Sequence, residues 1–126
     1  MDLDRLIKQK FSASFMNKTK WRKLIEALTY EYEDLYVFYK LVPEDKVRNA
    51  YLYDDYYNWF LEPITFKEVE WISFPYEYEI TQNKRVSRRI IKKYTQDIDL
   101  IENSINKVGQ FMIDKTPTNL TLYAYR

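Results

Sequence analysis

Residues 35–42 read LYVFYKLV and run straight into Pro43. Apolar or aromatic side chains occupy both alternating faces of this stretch, and Lys40 is its one charge. β-Branched and aromatic residues fit a pleated surface, and a run apolar on both faces suits a central strand covered on two sides. A short buried helix has the same pattern and stays open as the alternative reading. A chain carrying such a strand needs a sheet around it and other elements above and below.

Those other elements are legible as changes of period. Leu3, Leu6, Ile7 and Phe11 suggest a short N-terminal helix. Thr19 reads as an N-cap, its hydroxyl available to the first free backbone amides. Trp21, Leu24, Ile25, Leu28 and Tyr32 then form one apolar helical stripe. Strands are expected over Val47–Tyr53, with Asp54-Asp55 as turn residues, over Tyr57–Leu61, and over Lys67–Phe74, with Val69 and Trp71 on one side. Tyr76, Tyr78 and Ile80 alternate with Glu77 and Glu79, the pattern of a half-buried edge. Ile98, Ile101, Ile105, Val108 and Met112 return to helical spacing, and Gly109 either ends that helix or costs it ~1 kcal/mol. Leu120–Tyr125 reads as a last strand. The order α-α-β-β-β-β-α-β, strands grouped between helices, predicts one α+β domain over 1–126. Its mostly antiparallel sheet of four to six strands packs on two or three helices.

Absent residue types exclude much enzymology. The 126 residues contain no histidine and no cysteine. The usual zinc sites, the Ser/His and Cys/His pairs, and disulfides therefore cannot be built from this chain. The single glycine removes glycine-rich phosphate loops and the dinucleotide fingerprint. Charges recur too often for the ~18 apolar residues of a membrane span, and MDLDRLIKQKF lacks the apolar stretch of a secretory signal. The expectation is a cytoplasmic protein with no cofactor, no metal and no membrane partner.

Charge is segregated. Acids outnumber bases 15 to 11 over residues 1–80, while bases outnumber acids nine to four over 81–126. In the first part, YLYDDYYNWFLEP (51–63) combines six aromatic residues with three carboxylates. Asp54, Asp55, Tyr56, Tyr57, Trp59 and Glu62 are its candidate partner-binding residues, because Tyr and Trp give contact area at low entropic cost and acids steer a basic partner. In the second part, KRVSRRIIKK (84–93) carries Lys84, Arg85, Arg88, Arg89, Lys92 and Lys93. If helical, Arg85, Arg88, Arg89 and Lys92 fall near one face and could neutralise phosphates. A solvated face is the competing reading.

Three weaker patterns complete the set. Glu68/Glu70 and Glu77/Glu79 are i, i+2 pairs about 7 Å apart on a strand, close enough for acid–base chemistry or magnesium. A wet strand face explains them more simply. Ser104-Ile-Asn-Lys107 matches a Ser-x-x-Lys nucleophile motif, but the companion elements are missing and chance is the preferred explanation. Lys18, Lys20, Arg22 and Lys23 crowd the positive end of the Trp21 helix, where acids are expected to compensate them.

Phe15-Met-Asn-Lys-Thr-Lys-Trp-Arg-Lys-Leu24 is similar to the opening of a family of small uncharacterised bacterial proteins. Trp59, Glu62-Pro63 and Val69-Glu70-Trp71-Ile72 look like that family's second signature. The resemblance implies a compact α+β fold, with Asn17, Thr19 and Trp21 as cap and core anchors, and no catalytic residues. Size, charge layout and missing chemistry also resemble immunity proteins of bacterial toxin systems. The functional expectation is a non-enzymatic protein-binding module, its leading partner a basic toxin domain; the alternative is a nucleic-acid-associated protein using 84–93.

Overall fold

A computed structural model of the chain describes residues 2–52, 65–83 and 89–126. The elements in those residues are α1 (Leu3–Lys10), α2 (Lys18–Glu31), β1 (Tyr36–Leu41), β2 (Val47–Tyr51), a 3₁₀ turn (Phe66–Glu68), β3 (Val69–Pro75), β4 (Glu77–Asn83), β5 (Arg89–Thr95), α3 (Ile98–Val108), β6 (Ile113–Lys115) and β7 (Asn119–Tyr123). The class is α+β. A five-stranded antiparallel sheet runs β2-β1-β3-β7-β6, and β4 and β5 pair with each other as a separate hairpin. The expected Tyr57–Leu61 strand and Asp54-Asp55 turn lie outside the described residues.

The α2 stripe lies wholly in the core. Trp21, Leu24, Ile25 and Leu28 are at most 1% exposed and meet Val37, Tyr39, Ile72, Phe74, Leu120 and Leu122 in one core. Asn17, rather than Thr19, caps this helix: its side-chain oxygen accepts from the Lys20 amide at 2.8 Å. Asn is the stronger cap, and it lies one residue before the first helical position. Contrary to the expected compensation by acids, no acid among the described residues pairs with Lys20. Its ammonium donates to the Phe15 and Gln110 carbonyls at 3.1 and 3.2 Å and lies 5.3 Å from the centre of the Phe111 ring. Carbonyl dipoles and a ring quadrupole do the work of a carboxylate here.

Register decides which side chains of the sheet look inward. Phe38, Tyr39 and Lys40 pair with Ser73, Ile72 and Trp71, but Leu41 pairs with Val69, so Glu70 is an inserted bulge residue. A one-residue insertion flips the strand's alternation. Val69 therefore joins Ile72 and Phe74 in the core, all three fully buried, whereas Trp71 turns to the opposite face and is half-buried. The expectation that Val69 and Trp71 share a side is corrected by this bulge.

The C-terminal third also differs from its periodicity. α3 stops at Val108 with Gly109 as its cap, so Met112 leaves the helical stripe. The Met112 carbonyl accepts the Tyr123 amide at 2.9 Å and leads into β6, a strand that spacing did not reveal. Gly109 has φ 170°, an extended conformation, and an added Cβ would come no closer than 3.7 Å to the Phe111 ring. Gly109→Ala should hold or raise stability by a few tenths of a kcal/mol in urea unfolding. Trp21→Ala should lower it by about 3–5 kcal/mol.

Candidate functional site

The helices and the strands' inward residues leave the sheet a second face. Phe38, Ser73 and Thr121 are consecutive cross-strand neighbours on it, as are Lys40, Trp71 and Tyr123. Buried Ser73 is satisfied there by Thr121 at 3.0 Å and the Asn119 amide at 3.2 Å. Lys40 and Glu70 form a 2.8 Å ion pair, both mostly buried. No helix among the described residues packs on this face.

The β4–β5 hairpin meets this face at one end. β3 and β4 are one extended run bent at Tyr76. The Tyr76 amide donates to the Thr118 carbonyl and the Tyr76 carbonyl accepts the Gln96 amide, each at 2.7 Å. The Gln96 side chain completes the joint. Its oxygen accepts the Tyr36 amide at 2.7 Å, and its nitrogen donates to the carbonyls of Tyr36 and Pro75 at 3.0 and 2.9 Å. One side chain thereby takes the place of a neighbouring strand at the start of β1.

Above that joint the tyrosines form a stack. Tyr36 and Tyr78 lie 4.1 Å apart with planes inclined by 8°, and Tyr94 continues the stack 5.3 Å from Tyr78. Tyr51 meets Tyr36 and Tyr78 edge-on, and Phe38 meets Tyr36 edge-on at 5.5 Å. Strand geometry produces the set: Tyr36 and Phe38 are alternate residues of one face, and Tyr36/Tyr51 and Tyr78/Tyr94 are directly opposed pairs. Burial, then hydrogen bonding and repulsion from Tyr51, push the Tyr78 hydroxyl well above the ordinary tyrosine value of 10.0. Burial and Tyr51 raise Tyr36 as well.

Between this face and β4 lies an open groove of about 630 Å³, lined by Tyr36, Phe38, Asn49, Glu77, Tyr78, Glu79 and Lys93. Glu79 and Lys93 sit 3.9 Å apart and are both well exposed, a weak pair. Glu77 makes no ion pair among the described residues. The groove thus joins an aromatic wall to two carboxylates.

The residues singled out from sequence fare differently. Asp54, Asp55, Tyr56, Tyr57, Trp59 and Glu62 lie outside the described residues, as do Lys84, Arg85 and Arg88. Arg89, Lys92 and Lys93 belong to β5, so the basic stretch from 89 onward is a strand and not a helix. Cross-strand pairing of Ile90, Ile91 and Tyr94 with β4 overrides the helical arrangement of the cations. Lys92 and Lys93 consequently point to opposite faces, opposed to Ile80 and Glu79 respectively. Glu68 and Glu70 are not an alternating strand pair either, since Glu68 closes the capping box of the 3₁₀ turn and Glu70 is the bulge. Ser104 is buried with its hydroxyl bonded to the Leu100 carbonyl and the Tyr32 hydroxyl, while Lys107 is exposed, so the Ser-x-x-Lys pair does not assemble. Among the described residues no three acidic groups gather as metal ligands, and no helix is long and apolar enough to cross a membrane.

A family model matches residues 3–125, nearly the full extent of the helices and strands above. The chain belongs to the family of unknown function DUF6678. No curated protein and no solved structure matches it. Membership agrees with the resemblance to an uncharacterised family and carries no site residues with it.

Sequence reading missed Gln96 and the grouping of Tyr36, Phe38, Tyr51, Tyr78 and Tyr94. The run Tyr36-Val37-Phe38-Tyr39, free of charge until Lys40, is a visible signal for a second aromatic face; nothing local marks Gln96. Gln96→Ala should cost about 2–3 kcal/mol in urea unfolding, because it strands the Tyr36 amide and two carbonyls. Gln96→Glu should not restore the loss, since a carboxylate cannot donate to those carbonyls. The raised tyrosines add stability that is complete below pH 10 and declines as pH rises through their native values. Between pH 9 and about 11, the urea midpoint of Tyr78→Phe should therefore fall less steeply than that of the parent chain.

Proposed function

We propose that this protein is a non-catalytic protein-binding module that engages a basic partner through an acidic, aromatic surface, as an immunity protein neutralises a toxin domain by direct contact. The observation that carries this reading is the groove between the second sheet face and β4, where Tyr36, Phe38 and Tyr78 stand beside Glu77 and Glu79. Aromatic anchors in a recess with a charged rim are the usual make-up of a binding hot spot. The acidic sequence around Asp54, Asp55, Tyr56, Tyr57, Trp59 and Glu62 supplies further charge of the same sign for steering. The intended partner is a protein, with no cofactor and no membrane, in the cytoplasm.

Calorimetric titration with the purified product of the adjacent gene tests this reading. Binding is expected to weaken at least about tenfold in Asp54→Lys/Asp55→Lys or in Glu77→Lys/Glu79→Lys, with the association rate falling as salt rises. Binding indifferent to both reversals would discard the acidic surface.

One observation favours a second reading, association with nucleic acid. Tyr94 ends the ring stack, is 37% exposed, and shares β5 with Lys92 and Lys93. A stacking ring beside cations is the pattern of single-strand binders. Titration with single-stranded oligonucleotides should then give a salt-dependent affinity that Tyr94→Ala lowers; a flat titration ends that reading.

A further inference from the structure

We infer that the groove between β1 and β4 is a receptor for an arginine side chain presented by the basic partner. This inference rests on the protein-binding reading and specifies what enters its groove.

The argument starts from charge. Two carboxylates and one ammonium border the groove, and the ammonium of Lys93 is held only loosely, 3.9 Å from Glu79. Glu77 lines the groove and has no ion-pair partner among the described residues. An anion or a phosphate is repelled by such a rim, and a cation is drawn to it. The rings then select the kind of cation. Phe38 is half-buried and, among the described residues, its ring meets the tyrosine group edge-on at Tyr36. A guanidinium is planar, stacks on aromatic faces, and engages a carboxylate through two parallel hydrogen bonds. An ammonium lacks the flat surface and keeps its water more tightly. Asn49 adds an exposed side-chain amide at the same border, an acceptor for a further guanidinium N–H.

The arrangement is also preorganised. Tyr78 is held between Tyr36 and Tyr94, and β4 is tied to the sheet through Tyr76 and Gln96. The walls of the groove are set before a partner arrives, so little ordering cost is left for binding.

The test uses the full chain and an eight-residue arginine peptide, with eight-residue lysine and glutamate peptides for comparison, titrated calorimetrically at about 0.15 M salt. The arginine peptide should bind at least about threefold more tightly than the lysine peptide, and the glutamate peptide should not bind. Phe38→Leu, which leaves every charge in place, should abolish the preference for arginine. Glu77→Gln should weaken both cationic peptides, whereas Asp54→Asn/Asp55→Asn should leave the arginine preference intact. Both groove substitutions change residues outside the helix-covered core, and circular dichroism checks that each variant is folded. Equal binding of arginine and lysine peptides, or a preference that survives Phe38→Leu, overturns the inference. If the adjacent gene product binds but is insensitive to Phe38→Leu and Glu77→Gln, the arginine receptor fails while the protein-binding reading stands.

Discussion

The side-chain amide of Gln96 holds the molecule's two sheets in one arrangement. It meets both backbone polar groups of Tyr36 and the carbonyl of Pro75, while the Gln96 backbone N–H donates to the Tyr76 carbonyl. A two-stranded hairpin of seven-residue strands is marginal on its own in water. Here its base is joined to β1 and β3 by hydrogen bonds that a single residue supplies. The tyrosine stack adds apolar area and ring–ring attraction above the joint, each pair worth about 0.5–1.5 kcal/mol beyond burial. Orientation comes from the amide and adhesion from the rings.

That division of labour shapes the candidate site. The helix-covered face of the sheet is the stability core, with Trp21, Ile72, Phe74, Leu120 and Leu122 almost wholly buried. Among the described residues the hairpin meets the second face at Tyr36 and Tyr51, and farther along β1 stand half-buried Phe38 and Lys40. A concave aromatic surface results where closure gives way to opening. Glu77 and Glu79 enter it because β4 passes over this boundary. The same geometry explains why the Tyr36 and Tyr78 hydroxyls resist ionisation, since partial burial withholds water from the phenolate.

Much of the fold was legible in the chain. Long stripes with one period, such as Trp21–Leu28 and Ile98–Ile105, and the two-faced run at 35–42 each became the element they predict. Errors gathered where a neighbour overrules local preference. Asn17 displaced Thr19 as the cap, Glu70 bulged and moved Val69 away from Trp71, and Met112 left its helical stripe to join a ladder with β7. The basic segment shows the same thing most plainly. Its cations fit a helical face, yet from Arg89 onward it pairs with β4. Charge patterns report on solvent, and strand pairing answers to partners elsewhere in the sequence. Of the residues singled out from sequence, Glu77, Glu79 and Lys93 border the described groove; the others lie elsewhere or fall outside the described residues.

By itself the sequence determined what this protein lacks and which layers it is made of. With no histidine and no cysteine, imidazole and thiol groups and disulfides cannot come from this chain's own residues, and hydrophobic period separates helix from strand because each element must bury one face. Only the tertiary structure decided that Tyr36, Tyr51, Tyr78 and Tyr94 form one group and that Glu77 and Glu79 border it. Those residues come from four strands, and their meeting depends on sheet register and on one glutamine's hydrogen bonds. Neither leaves a periodic trace in the chain, because the contacts join positions up to about sixty residues apart.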